Sequence, residues 1–384
     1  MFILELNDYR IRLISPEQTI VYSDVAAAAV VDKQFVFGGA ALQAARLHPQ
    51  QFNQRYLGTL SAQSLPTPML AAQNLADLLY HHFASLPIES ANLALLTPAH
   101  YSNEQLGLLL GILQELGHRV RGFIDIAACQ AMEPHGTDTQ QPTAVLDLEL
   151  QRTTLTPLNS SGDQAEVGTP TVWEGQGFAH VFEGWMSAIA DDFVERTRFD
   201  PLHAANTEQQ LADQLWAWCA LPEAHALRVQ VVSGDAPHEA EFQPHRLAEK
   251  LAQRLANIDL SGFTSVLLSD LAGRLPGLQA HLQAQFPAVT LTPLSGNHVY
   301  HARDLAKDFS AEGITRIRRA PITSETAPST AAPRPEAVSA SHLLQGHTAR
   351  PLAAFSDLPS GELAVGARVD LNTGTWTGIL VEDA

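Results

Sequence analysis

Apolar and polar positions alternate at the start of the chain, in Phe2-Ile-Leu-Glu-Leu6, Arg10-Ile-Arg-Leu-Ile14 and Thr19-Ile-Val-Tyr22. Period-two alternation marks half-buried strands, and Asn7-Asp8 between the first two runs is a hairpin signal. The chain is therefore expected to open with an antiparallel meander. Helices are expected over 39–47, ended by Pro49, and over 68–86, where Leu70, Leu75, Leu78, Leu79 and Phe83 fall at helical spacing. A strand at 93–96, a helix running to Leu116 and stopped by Gly117, and a strand at 120–126 follow. Strand, helix, strand implies a parallel pair with a helical crossover.

The antiparallel opening then recurs, with runs at 145–150 and 153–158 paired like a hairpin. Helices follow near 178–197, 207–219, 244–255, 275–286 and 299–309, with strands at 227–233, 265–268 and 289–292. Between 320 and 340 the composition shifts to Pro, Ala, Thr and Ser without periodicity, which reads as a linker. Short apolar runs at 363–371 and 375–381 predict a small β appendage. The expected division is a first half at 1–143, a second at 144–315, a linker at 316–340 and an appendage at 341–384.

Composition narrows the function classes. The 384 residues carry 41 acids against 23 bases, a net charge of −18, and two isolated cysteines, Cys129 and Cys219. Neither cysteine has a partner at metal-ligand spacing, so thiolate metal sites are excluded. Lysine occurs only at Lys33, Lys250 and Lys307, none of them after a glycine-rich turn, so a P-loop is excluded as well. A chain this acidic repels a polyanion, which argues against a nucleic-acid partner. The longest apolar runs fall short of the ~20 residues that span a bilayer. No export signal is read at the start, and a reducing cytoplasm is the expected location.

Two halves that each begin with a hairpin-led sheet are the plan of the actin, sugar-kinase and heat-shock-chaperone superfamily. The segment Leu95-Leu96-Thr97-Pro98-Ala99-His100-Tyr101-Ser102-Asn103-Glu104-Gln105 resembles the Val-Pro-Ala-Tyr-Phe-Asn-x-x-Gln stretch of DnaK-like chaperones. Phe37-Gly38-Gly39-Ala40-Ala41 is similar to their Val-Gly-x-Ala-Ala, and Gln176-Gly177-Phe178 to their Gly-Gly-x-x-Phe helix start. Residues 267–279, ending Arg274-Leu275-Pro276-Gly277-Leu278-Gln279, resemble the strand and turn beside the adenosine pocket. The resemblance covers roughly 1–310 and implies an α/β fold: a bilobal, duplicated ribonuclease-H-like architecture with mixed five-stranded sheets, carrying the β appendage.

The departures from that pattern carry the functional expectation, because only glycine lets a backbone approach phosphates closely. The first phosphate loop of the family, Asp-Leu-Gly-Thr-Thr, is here Glu5-Leu6-Asn7-Asp8-Tyr9. The second, Asp-Leu-Gly-Gly-Gly-Thr, is Asp147-Leu148-Glu149-Leu150-Gln151-Arg152. The family's phosphate-contacting lysine is Leu42, the carboxylate expected beyond Asp125 is Ile126, and the paired glycines before Arg274 are Asp270-Leu271. The resemblance would gather Glu5, Asp8, Asp147, Glu149 and Asp270 in one cleft. Two like charges ~4 Å apart cost about 4 kcal/mol at an effective dielectric near 20, which opposes a triphosphate.

The expectation is a non-catalytic, degenerate ATPase that binds partner proteins of unknown identity, with no cofactor. Two alternatives stay open: an ATP-binding or ATP-hydrolysing actin-like protein using ATP and magnesium, and metal or small-ligand binding in the acidic cleft. Glu5 and Asp147 are the carboxylates such a cation would use; solvated strand-end carboxylates are expected instead. His81-His82 point about 100° apart on a helix and cannot chelate together, so they are expected at the surface or the core boundary. The lid and β-sandwich with which DnaK-like chaperones hold client peptides have no counterpart in these residues, so peptide refolding is not expected.

Overall fold

The computed structural model describes residues 1–134, 141–219, 226–242, 244–310, 313–322, 342–345, 348–351, 368–371 and 376–381. Residues 1–324 form one unit and residues 325–384 a second. The architecture is mixed α/β, with several mixed sheets.

The first unit is built on two sheets of matching plan. In the first, Arg119–Asp125, Asn92–Thr97 and Phe2–Asn7 run parallel, and Arg10–Ile14 and Ile20–Asp24 continue antiparallel. In the second, Thr290–Pro293, Ser265–Leu268 and Thr143–Leu148 run parallel, and Arg152–Ser161 and Gln164–Val167 continue antiparallel. Order and directions repeat between the halves of the unit. The expected five strands per sheet are exceeded, because the sheets hold six and seven. Thr315–Ile317 extends the first sheet beside Arg119–Asp125, and Arg319–Pro321 extends the second beside Gln164–Val167. One short extended run thus covers an edge of each sheet, where unpaired backbone groups would otherwise face solvent. Thr171–Glu174 adds a further strand against Arg152–Ser161. The strands Thr315–Ile317 and Arg319–Pro321 lie in or beside the expected linker, whose residues from 323 to 340 fall outside those described.

Strand alternation decides what each face carries. Leu4, Leu6, Ile11 and Leu13 pack with Leu78, Leu79, Leu106 and Leu109 from the helices Leu75–Ala84 and Asn103–Glu115. Ile3 turns the other way, into a core shared with Val145 and Leu267 of the second sheet and with the helices Ile126–Gln130 and His298–Leu305. The second sheet presents Leu146 and Leu148 to the long helix Phe178–Thr197, whose buried Trp185 donates its indole N–H to the Leu247 carbonyl at 2.8 Å. At the start of Asn103–Glu115, Ser102 and Gln105 exchange side-chain and backbone hydrogen bonds in a reciprocal cap.

The expected helix over 68–86 is shortened to Leu75–Ala84. The preceding residues form the strands Ser64–Met69 and Ala72–Asn74, with Leu70 at φ 55° in the turn. The start is set by Asn74, whose side chain accepts the Asp77 amide at 2.9 Å while Asp77 accepts the Asn74 amide, a reciprocal cap that begins the helix there. His82 also departs from expectation, being fully buried: Tyr22 Oη lies 2.8 Å from its Nε2 and Tyr56 Oη 2.6 Å from its Nδ1. Burial pushes its pKa down to about 3, so it packs as a neutral ring stacked on Phe37. In the second unit the described strands form one antiparallel sheet, ordered Thr348–Pro351, His342–Gln345, Trp376–Val381 and Arg368–Leu371, as the β appendage reading expects.

Candidate functional site

The odd residues of Phe2–Asn7 and of Thr143–Leu148 point between the two sheets, so Glu5, Asn7 and Asp147 converge on one cleft. Asp270, from the short helix Asp270–Arg274, and Arg10 complete its mouth. The cleft is closed by contacts between the halves. Arg10 pairs with Asp270 at 2.6 Å, and the Asn7 amide donates to Asp147 Oδ2 at 3.1 Å. The remaining cavity, about 20 Å³, is room for about one water molecule.

The two hairpin loops meet directly. Asp8, at the turn of the first, is buried, and its carboxylate accepts the Leu150 amide at 2.6 Å and the Gln151 amide at 3.3 Å. Those donors belong to the turn of the second hairpin, where an anion would need them; a side chain of the same molecule already holds them. Arg152 reaches back across the halves to the Gly58 carbonyl at 2.8 Å. Tyr9 completes the closure: its hydroxyl accepts from Arg274 at 3.1 Å, and its ring packs edge-on against Phe178.

Charge in this region is buried. Burial raises the Asp8 pKa, against the pull of the Leu150 amide and Arg152, to about 6. Glu149 is 1% exposed, and burial together with Asp8 and Asp147 pushes it well above the usual carboxylate range. Neither Glu149 oxygen accepts a hydrogen bond within the protein, and His100 Nδ1 stands 3.4 Å from Oε1. Burial, with Arg152 and Arg316 nearby, lowers His100 to about 3, so it offers Glu149 no counter-charge at pH 7. Asp147 is raised by burial too.

Glu5 is the opposite case. Burial alone would raise its pKa, but the Arg12 guanidinium and His298 hold it far below the usual range. Arg12 Nη2 donates to Glu5 Oε1 at 2.9 Å, and His298 Nε2 lies 2.7 Å from the same oxygen. Glu133 accepts the His298 amide at 2.9 Å and lies 3.5 Å from its Nδ1. Burial would lower the His298 pKa; Glu5 and Glu133 raise it instead. Glu5 thus has no oxygen left for a cation, and among the described residues no group of three His, Cys, Asp or Glu side chains is placed to hold a metal.

Other candidates lie apart from the cleft. Asp125, fully buried, accepts from Arg316 at 2.6 Å and from Arg318 at 3.0 Å, and so fastens the edge run 315–321 rather than facing Asp147. Leu42 lines a separate cavity. Arg12, His298 and Glu133 were not anticipated. The hairpin register pairs Glu5 with Arg12 across a turn at Asp8-Tyr9, one residue beyond the expected Asn7-Asp8 turn; His298 and Glu133 reach the site only through tertiary folding.

Gly177 sets the approach of the long helix to the second hairpin. A Cβ there would stand 2.3 Å from the Arg152 nitrogen and 2.4 Å from the Leu150 oxygen, both backbone. Gly177→Ala should therefore destabilise by about 1–3 kcal/mol, read from urea unfolding. An unchanged midpoint would show that the hairpin yields without cost. In comparisons with known proteins, no protein-family model and no curated protein matches the chain.

Proposed function

We propose that this chain is a degenerate actin-like protein, of DnaK-like type, that keeps a bilobal scaffold and acts by binding partner proteins instead of hydrolysing ATP. The repeated strand order of the two sheets supports the scaffold reading. The observation that carries the loss of chemistry is the Asp8 carboxylate seated on the Leu150 and Gln151 amides. In a nucleotide-binding member these hairpin amides face phosphate. Here they are satisfied, and the Arg10–Asp270 pair shuts the entrance beside them. A triphosphate would have to displace both contacts, bring its charge against Asp8, Glu149 and Asp147, and open a cavity now sized for one water. ATP binding and hydrolysis remain the competing reading, and its lysine position, Leu42, offers no cation.

Calorimetric titration of the full chain with ATP and ADP, each with magnesium, tests this. No saturable heat is expected. A Kd tighter than about 10 μM, equivalent to about −7 kcal/mol, would overturn the reading in favour of an active nucleotide site.

A further inference from the structure

A second cavity, of about 540 Å³, opens between residues 39–54 and the helices Phe178–Thr197 and Ala205–Cys219. It shares no lining residue with the closed cleft. Its volume lies within the ~300–1,000 Å³ usual for small-molecule sites. Leu42, Phe52, Phe182 and Trp216 supply apolar wall. The helix side is locked to residues 42–46 by Gln209, which is 5% exposed. Gln209 Oε1 accepts the Arg46 amide at 2.8 Å, while its Nε2 donates to the Leu42 carbonyl at 2.9 Å and to Asp213 Oδ1 at 2.8 Å. The cavity is therefore preformed, and the Asp213 carboxylate is oriented at its wall.

Charge selects the ligand. Glu183, Glu208 and Asp213 line the cavity against one guanidinium, Arg46. Arg46 is already paired with Glu183 and with Glu208, the latter at 3.2 Å. Asp213 is held only by the neutral Gln209 amide. An anion entering here would meet uncompensated carboxylate, whereas a cation would find Asp213 and the Trp216 side chain, an aromatic type suited to ammonium groups.

We propose that this cavity binds an organic cation, with a hydrophobic body against Phe182 and Trp216 and an ammonium group beside Asp213. The proposal does not depend on the fate of nucleotide binding.

Titrating the full chain with benzyltrimethylammonium while following tryptophan fluorescence and thermal stability tests it, with phenylacetate as the anionic counterpart. The ammonium probe is expected to saturate at or below about 1 mM and to raise the melting temperature, and phenylacetate to do neither. Asp213→Asn, at an exposed position, should weaken the probe about fivefold or more while leaving the unliganded melting temperature unchanged. Trp216→Phe should abolish the fluorescence response and keep a thermal shift. Equal binding of phenylacetate, an unweakened Asp213→Asn variant, or no saturation by the ammonium probe would each overturn the proposal.

Discussion

Arg12→Met is expected to lower the unfolding free energy of the first unit by about 3–5 kcal/mol, the usual cost of removing one partner from a buried ion pair. Arg12 and Glu5 are 4% and 3% exposed, so water cannot replace the lost guanidinium. The variant strips the Glu5 carboxylate of its strongest counter-charge and the Gly296 carbonyl of a donor at 3.0 Å. For the 324-residue unit, at about 2.1 cal/mol/K of unfolding entropy per residue, this is a fall of roughly 4–7 °C in Tm. The double variant Glu5→Gln, Arg12→Met should recover part of the loss, since no charge is then left buried without its counter-ion. A single-variant cost below about 1 kcal/mol in urea unfolding would mean that Glu5 is reached by water and that the network is not what holds the sheets together.

The same network has a pH signature of definite sign. Glu5 is depressed in the folded protein, so its contribution is present above its ordinary value of 4.5 and is lost as pH falls through the folded pKa. His298 is raised, so its contribution is full below 6.5 and is lost as pH rises through the folded value. Between those limits both are in force.

Much of this was legible in local pattern. The opening meander and the later hairpin follow from alternation, but the turn expected at Asn7-Asp8 would set Glu5 opposite Arg10, whereas the observed turn at Asp8-Tyr9 sets it opposite Arg12. The helices expected to end at Leu116 and to span 178–197 and 207–219 are observed as Asn103–Glu115, Phe178–Thr197 and Ala205–Cys219. What local pattern missed depended on distant chain. Arg316 and Arg318 claim Asp125 from about 190 residues away, in or beside a short edge strand at the start of the expected linker. Of the five acids that the resemblance would gather, Glu5, Asp147 and Asp270 line the small cavity, whereas Asp8 and Glu149 do not, and the neutralisation of these acids was not anticipated. Arg10, a surface-like residue by type, pairs with Asp270, and Asp8 bonds to the facing hairpin; neither contact leaves a trace in spacing.

Glu149→Gln is expected to stabilise the first unit at alkaline pH and to leave it nearly unchanged near pH 4. Both Asp8 and Glu149 have folded pKa values above their ordinary ones, so the folded state holds protons that the unfolded state gives up, and stability falls as pH rises. For Asp8 the loss runs from its ordinary value of 3.8 to about 6, which at 1.36 kcal/mol per unit amounts to about 3 kcal/mol. Glu149 extends the decline to higher pH, because burial and the facing Asp8 and Asp147 carboxylates resist its ionisation. An amide of the same shape removes the Glu149 titration and relieves Asp8 of a like charge. Denaturant unfolding at pH 4 and pH 8 should show the variant gaining about 1–3 kcal/mol over the wild type at the higher pH only. A variant whose pH profile parallels the wild type would show that these carboxylates ionise freely, and hence that the facing hairpin loops are open to solvent instead of sealed by Asp8. A gain confined to high pH would instead mean that the closed cleft is maintained at the expense of stability near neutral pH. Such a cost follows from burying the Asp8 and Glu149 carboxyl groups between the two facing hairpins.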